Sequence, residues 1–179
     1  MVKLNRLEDA AIRLHQHIYR THWNGEAVVG SDPGVRFNSR IGRFIKGYLE
    51  FIPWGDNMAY AQAQKYWIAN NWMMVELGLA DVNQCQETAI AGSRYLQKAQ
   101  EPEGYWAHPN KEWKGRIQTV EGNYASIGML ETFTRTGESS LLEGAIRWHD
   151  YAAEHIGYHN DNGALCINSV SYTHLTLPT

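Results

Sequence analysis

The chain has 179 residues, a formal charge of −3, 44% hydrophobic and 20% charged residues, which fits one globular domain with a sizeable core. Aromatics reach 12%, which argues against disorder, and the near-neutral balance lacks the basic excess of a nucleic-acid surface. No apolar run is long enough to span a bilayer, and the charges scattered through MVKLNRLEDAAIRLHQH leave no secretory signal core.

The first predicted element is a helix in which Leu4, Leu7, Ala11, Leu14 and Ile18 recur at spacings of three and four. A long link follows over 23–55. Within it, 35–49 (VRFNSRIGRFIKGYL) reads as a short helix with Phe37, Ile41, Phe44 and Tyr48 on one face and Arg36, Arg40 and Arg43 on another. Three guanidinium forks together suit a phosphate or carboxylate, whereas a solvated, salt-bridged surface face uses the same residues without a ligand. The second helix, over 57–77, carries Tyr60, Ala61, Trp67, Ile68, Trp72, Met73, Met74 and Val75 around most of its circumference, so burial on most sides is expected.

The third helix runs from Val82 through Cys85, Ala89, Gly92 and Leu96; Val120, Tyr124, Ile127 and Leu130 place the fourth, and Leu141, Ala145, Trp148 and Ala152 the fifth. Asp81 and Asn57 are suited to N-capping, and Gly78, Gly137 and Gly157 to C-capping. Strand signals are nearly absent. Links alternate between very short turns, at Gly78 to Asp81 and Gly137-Glu138, and long segments over 23–55, 100–119 and from Gly157 onward. Short turns force antiparallel neighbours, and long links on one end of the array are where a site is sought. A weak repeat, Gly55-Asp56-Asn57-Met58-Ala59 against Glu121-Gly122-Asn123-Tyr124-Ala125, matches that alternation.

The segment 92–106, GSRYLQKAQEPEGYW, resembles the QW repeat of the squalene cyclase and protein prenyltransferase superfamily. Gly92, Tyr95, Leu96, Gln100, Gly104 and Trp106 fall at the repeat's spacing, with Ala91 where a basic residue is usual. The resemblance implies an all-α fold, a partial (α/α)6 toroid built of antiparallel helical hairpins, with helices one, three and five outer and two and four inner. It implies action on a polyprenyl or related substrate. The chain carries neither the Asp-x-Asp-Asp acid motif of the cyclases nor the zinc-binding set of the prenyltransferases. Toroids also host sugar epimerases, polysaccharide lyases and glycoside hydrolases, so a carbohydrate-active protein binding an anionic sugar is the alternative, and a non-catalytic helical scaffold a third reading.

At the junctions between links and inner helices stand Asp56, Asn57, Glu121 and Asn123. Asp56 and Glu121 are the candidate acid and base, because burial among aromatics raises a carboxyl's pKa; helix-terminal capping is the competing role. Substrate contacts are expected from Arg36, Arg40, Arg43, Asn57, Tyr60, Tyr105, Trp106, His108, Asn123 and Tyr124, with Trp54, Trp67 and Trp113 as further aromatic candidates and core packing as the other use of such rings. The expected ligand is a small molecule or glycan, with no cofactor and no metal: His155 and His159 have Gly157 between them, and Cys85 and Cys166 lack partners at ligand spacing. Two widely spaced cysteines without a leader point to the cytoplasm. Finally, 170–179 (VSYTHLTLPT) has no helical period and resembles one reading frame of a transposon-end sequencing adaptor. The expectation is a partial toroid domain over 1–169 and a non-native tail over 170–179, the gene being cut near Ser169.

Overall fold

The computed structural model describes residues 6–31, 45, 48, 49, 57–109 and 117–167, so Arg36, Arg40, Arg43, Trp54, Asp56, Trp113 and the 170–179 tail lie outside the described residues. Five helices dominate: α1 (Arg6–Thr21), α2 (Ala61–Glu76), α3 (Val82–Lys98), α4 (Thr119–Thr136) and α5 (Ser139–Tyr151). A π-helical turn over Ala152–Ile156 extends α5. The helical period therefore read through correctly, and none of these helices is long and apolar enough to cross a membrane.

The helices form two layers. Gln62 meets Glu121, Tyr66 meets Tyr124, and Trp72 donates to Thr132, so α2 and α4 run parallel, side by side. Along α3 and α5, Gln97 bonds Ser140 and Gln100 bonds Gly144, so these two also run parallel. The short turns make α3 antiparallel to α2 and α5 antiparallel to α4. His15 on α1 reaches both Asn71 of α2 and Cys85 of α3, so α1 packs across these two helices. Helices α3 and α5 thus share one layer and α2 and α4 the other, and the described parts of the long links emerge at one end.

The core lies between the layers. Ile68, Ala89, Leu96, Ala125, Met129 and Leu141 are buried to 1% exposure or less, with Trp72, Trp106 and Trp148 packed around them. Each fully buried aliphatic side chain contributes about 1.5–3 kcal/mol. Gly128 lets α2 and α4 approach closely, since an added Cβ would sit 3.4 Å from the Lys65 Cα. Trp72 Nε1 donates to Thr132 Oγ1, which lies 2.7 Å from Ser93 Oγ, so the polar groups between α2, α3 and α4 satisfy one another.

The 92–106 segment closes the seam between α3 and α5. Gln100 Nε2 donates to the carbonyls of Gly104 and Gly144, both at 2.8 Å, while its Oε1 accepts from Arg147 Nη2 at 2.6 Å. Trp106 Nε1 donates to Leu96 O, a carbonyl in the last turn of α3 that has no intrahelical partner, and the indole packs against Trp148. Gly104 has φ +102° and presses against α5: an added Cβ would lie 2.5 Å from Arg147 O. Leu96 is buried in the same turn, and Gly92 makes room for Ile68, whose Cγ1 would lie 3.2 Å from an added Cβ.

Three expectations change. Asn57 stands ahead of the start of α2, its backbone paired with Ser31 in a short antiparallel ladder, β1 (Gly30–Ser31) with β2 (Asn57–Met58). The capping position of α2 is held by Tyr60, which has no side chain able to do the job. The 55–59 and 121–125 repeat is not in structural register, because Asn57 and Met58 precede α2 while Glu121 to Ala125 lie inside α4. The segment after Gly157 is a hairpin, β3 (Tyr158–Asp161) with β4 (Ala164–Ile167), joined by Asn162 at φ 50° and Gly163 at φ 87°. Those two positive values are what a type I′ turn requires, and Asn-Gly is its strongest sequence signal. The link expected from Gly157 onward is therefore strand in part, against the near absence of strand signals in the sequence. Asp81, Gly78 and Gly137 behave as expected: Asp81 Oδ1 accepts from Gln84 N at 2.8 Å, and both glycines take positive φ at helix ends.

Each described long link is pinched at its base. Ser31 and Gly30 pair with 57–58 ahead of α2, and Ala107 bridges to Ile117 ahead of α4. Gln64, fully buried on α2, adds a clamp: its amide accepts from Val28 N at 2.7 Å and donates to Val28 O at 2.6 Å.

Gln100→Ala removes three hydrogen bonds that tie the link and α5 together, so urea unfolding is expected to show a loss of about 2 kcal/mol. Gly104→Ala, strained in φ and blocked by a backbone oxygen, is expected to cost at least as much. Changes below about 0.5 kcal/mol in both variants would show that the seam does not hold α3 to α5.

Candidate functional site

At the end where the links emerge, the N-termini of α2 and α4 lie together. Neither helix has an N-cap side chain of its own, since Tyr60 and Gln118 make no capping hydrogen bond. Glu121, in the first turn of α4, supplies the missing acceptor for α2: its Oε2 accepts from Gln62 N at 3.1 Å, and the Ala61 amide also bonds it. The carboxylate therefore faces the positive ends of two helices. It is only 7% exposed, and burial raises its pKa, opposed by the hydrogen bonds from Gln62 and Ala61.

The next two residues are equally engaged. Gly122 lies under Trp148, where an added Cβ would be 2.4 Å from the indole, and Asn123 Oδ1 accepts from Trp148 Nε1 at 2.9 Å. Trp106, named as a ligand contact from sequence, is 5% exposed with its nitrogen committed to Leu96. Tyr105 packs against Tyr151 at 5.1 Å, and burial raises its hydroxyl pKa, with Glu101 and Glu103 adding to the shift. These residues hold α4, α5 and the 100–109 link together.

The remaining candidates line the open side. Tyr60 meets His108 edge-on at 5.6 Å between ring centroids, which joins the start of α2 to the second long link. Beyond them, Tyr66 donates to Tyr124 across the α2–α4 seam at 3.1 Å, the rings 5.4 Å apart. The Tyr66 hydroxyl pKa is lowered, first by the bond to Tyr124 and then by the Gln62 amide, while that of Tyr124 is raised by Tyr66. Lys65 lies 5.3 Å from the Tyr66 ring centroid and pairs with Glu131 at 3.4 Å. Met73, Val120 and Ile127 stand about half exposed on the same two helices, so the α2–α4 layer keeps an open face instead of being buried on most sides.

Sequence reading missed Tyr66, Gln64, His15 and Asn71. Tyr66 and Tyr124 each stand five positions beyond the first residues of their helices, Ala61 and Thr119, a match that carries information only once the helices are known to be parallel. His15 is 5% exposed, stacks on Trp67 at 4.8 Å and bonds Asn71 Oδ1 at 3.0 Å. Cys85 Sγ lies 3.9 Å from the same His15 nitrogen, and burial pushes the thiol's pKa up, with Asp81 adding to it, so the cluster joins α1 to its neighbours without an activated nucleophile. Among the described residues, no group of three or more His, Cys, Asp or Glu side chains is placed to hold a metal ion.

No family model, curated protein or solved structure matches the chain.

Because its pKa is raised in the fold, Glu121 ionises in the unfolded chain first as pH rises. Stability therefore falls as pH climbs from the unfolded carboxyl's range through the raised native value. Glu121→Gln keeps an acceptor oxygen without a buried charge, so its stability relative to the wild type is expected to improve over that window. Glu121→Ala uncaps α2 and is expected to cost about 1 kcal/mol, or roughly 2–4 °C in Tm, by calorimetry across pH. A pH-independent difference between wild type and Glu121→Gln would remove the buried charge from the explanation.

Proposed function

We propose that these helices are an arc of an (α/α) toroid and that the open face of α2 and α4 binds a hydroxyl-rich ligand, a glycan. The observation that carries the reading is the make-up of that face. Its aromatic residues carry polar tips, Tyr60, Tyr66, Tyr124 and His108, with Gln62 and Lys65 beside them. Such rings stack on sugars and their tips bond hydroxyls. A hydrocarbon chain satisfies none of these groups. The α3–α5 seam supports the toroid part, since the motif that resembles the QW repeat ties two helices of the outer layer at its Gln and Trp.

The polyprenyl reading retains one specific support, the half-exposed row of Met73, Val120 and Ile127, which offers apolar wall to an isoprenoid. The two are separated by direct binding. Intrinsic fluorescence titrated with uronic-acid oligosaccharides is expected to show saturable quenching, weakened about tenfold by Tyr66→Ala, equivalent to about 1.4 kcal/mol. Saturation by a polyprenyl diphosphate, with no response to oligosaccharides, would favour the isoprenoid reading instead.

A further inference from the structure

The bond between Tyr66 and Tyr124 is difficult to explain as a stabilising device. Tyr66 is 53% exposed, and a neutral hydrogen bond in contact with water adds little to folding because water replaces it readily. The helices are already held by Gly128, Trp72 and Thr132 within the core and by the Arg135–Glu76 ion pair at the far end. What the bond does provide is two hydroxyl oxygens 3.1 Å apart, carried by different helices, on the face left open by the inner layer.

We propose that Tyr66 and Tyr124 form a shared-proton pair in which Tyr66 accepts a proton from a hydroxyl group of the bound ligand. This rests on the reading of the open face as a site for a hydroxyl-rich ligand. In the resting pair Tyr66 donates to Tyr124. When Tyr66 has released its proton to solvent, rotation of the Tyr124 hydroxyl lets it donate to the phenolate, so the negative charge keeps a partner at the same distance. Proton acceptance is then a single exchange: the ligand O–H bond breaks, the Tyr66 O–H bond forms, and the charge passes to the ligand oxygen.

The surrounding groups favour Tyr66 over Tyr124 as acceptor. From α2, the Lys65 ammonium lies 5.3 Å from the Tyr66 ring centroid, and the Gln62 amide serves both phenols while its backbone is held by Glu121. From α4, the nearest carboxylates have other cations or donors to face: Glu131 pairs with Lys65, and Glu121 is turned to the α2 amides. The positive end of α2 lies one turn from Tyr66, which further favours an anion there. Met73, Val120 and Ile127 flank the pair, so a ligand covering them removes water and strengthens the electrostatics around the phenolate.

The experiment is a spectroscopic titration of tyrosinate absorbance on the full chain without ligand, followed by the same titration with a uronic-acid oligosaccharide present. One tyrosine is expected to ionise ahead of the others in the wild type. Tyr66→Phe should abolish that early step, and Tyr124→Phe should return it to the ordinary tyrosine range. Circular dichroism of both variants, altered at partly exposed positions, should match the wild type. Oligosaccharide should shift the early step in the wild type and leave the Tyr66→Phe titration unchanged. An early step that survives Tyr66→Phe, or tyrosines that all ionise together, would overturn the pair whatever the ligand proves to be. An early step assigned to Tyr66 that does not respond to oligosaccharide, while a polyprenyl diphosphate binds, would leave the pair standing and overturn the glycan and the proton transfer from it.

Discussion

The primary amide of Gln100 is the point on which the pairing of α3 with α5 turns. It stands two residues beyond the end of α3, where helical carbonyls run out of amide partners, and it spends both faces at once. Its NH₂ group bonds a carbonyl in its own link and another on α5, while its oxygen takes the Arg147 guanidinium. A carboxylate of the same shape could not do this, because two of the three partners are carbonyl oxygens. The seam continues down α3 through Gln97 to Ser140 O and through Arg94 to the Glu138 carboxylate, so one face of the helix is a ladder of polar ties.

That ladder explains why small residues recur at particular places. Once α3 and α5 are drawn together, Gly104 must lie against the Arg147 backbone, and Gly144 must leave room for Met129 and for the Gln100 amide. Across the layers, Gly122 gives up its side-chain volume to the Trp148 indole. The same indole then finds its only strong hydrogen-bonding need met by Asn123. Polar residues that look like catalytic candidates in a linear reading, Glu121 and Asn123 among them, are thereby occupied in joining helices.

The open face of the α2–α4 layer is the counterpart. On it the chain keeps tyrosines beside half-exposed aliphatic residues. Burial of the rest of α2 is carried by Trp67, Ile68, Trp72 and Met74, together with Gln64 and Asn71, whose amides clamp the 22–31 link and α1. An apolar pattern around most of a helix is thus compatible with one unburied strip when some buried positions are taken by amides.

Much of the fold was legible along the chain. Helical period located α1 to α5, the glycines at 78 and 137 and Asp81 marked their ends, and link lengths separated antiparallel neighbours from distant ones. These signals are local: they depend on side chains three and four residues apart and on backbone angles that few residues adopt. The Asn162-Gly163 turn signal is equally local, but the four-residue strands beside it are too short to show a clear period of their own. The candidate site was far less legible. Tyr66 and Tyr124 are 58 residues apart, Glu121 caps a helix 59 residues earlier, and His15 bonds an asparagine 56 residues away. Residue type alone determined that such groups were available, but only the parallel packing of α2 on α4 decided which were consumed by caps and seams and which two phenols were left facing each other on the open side.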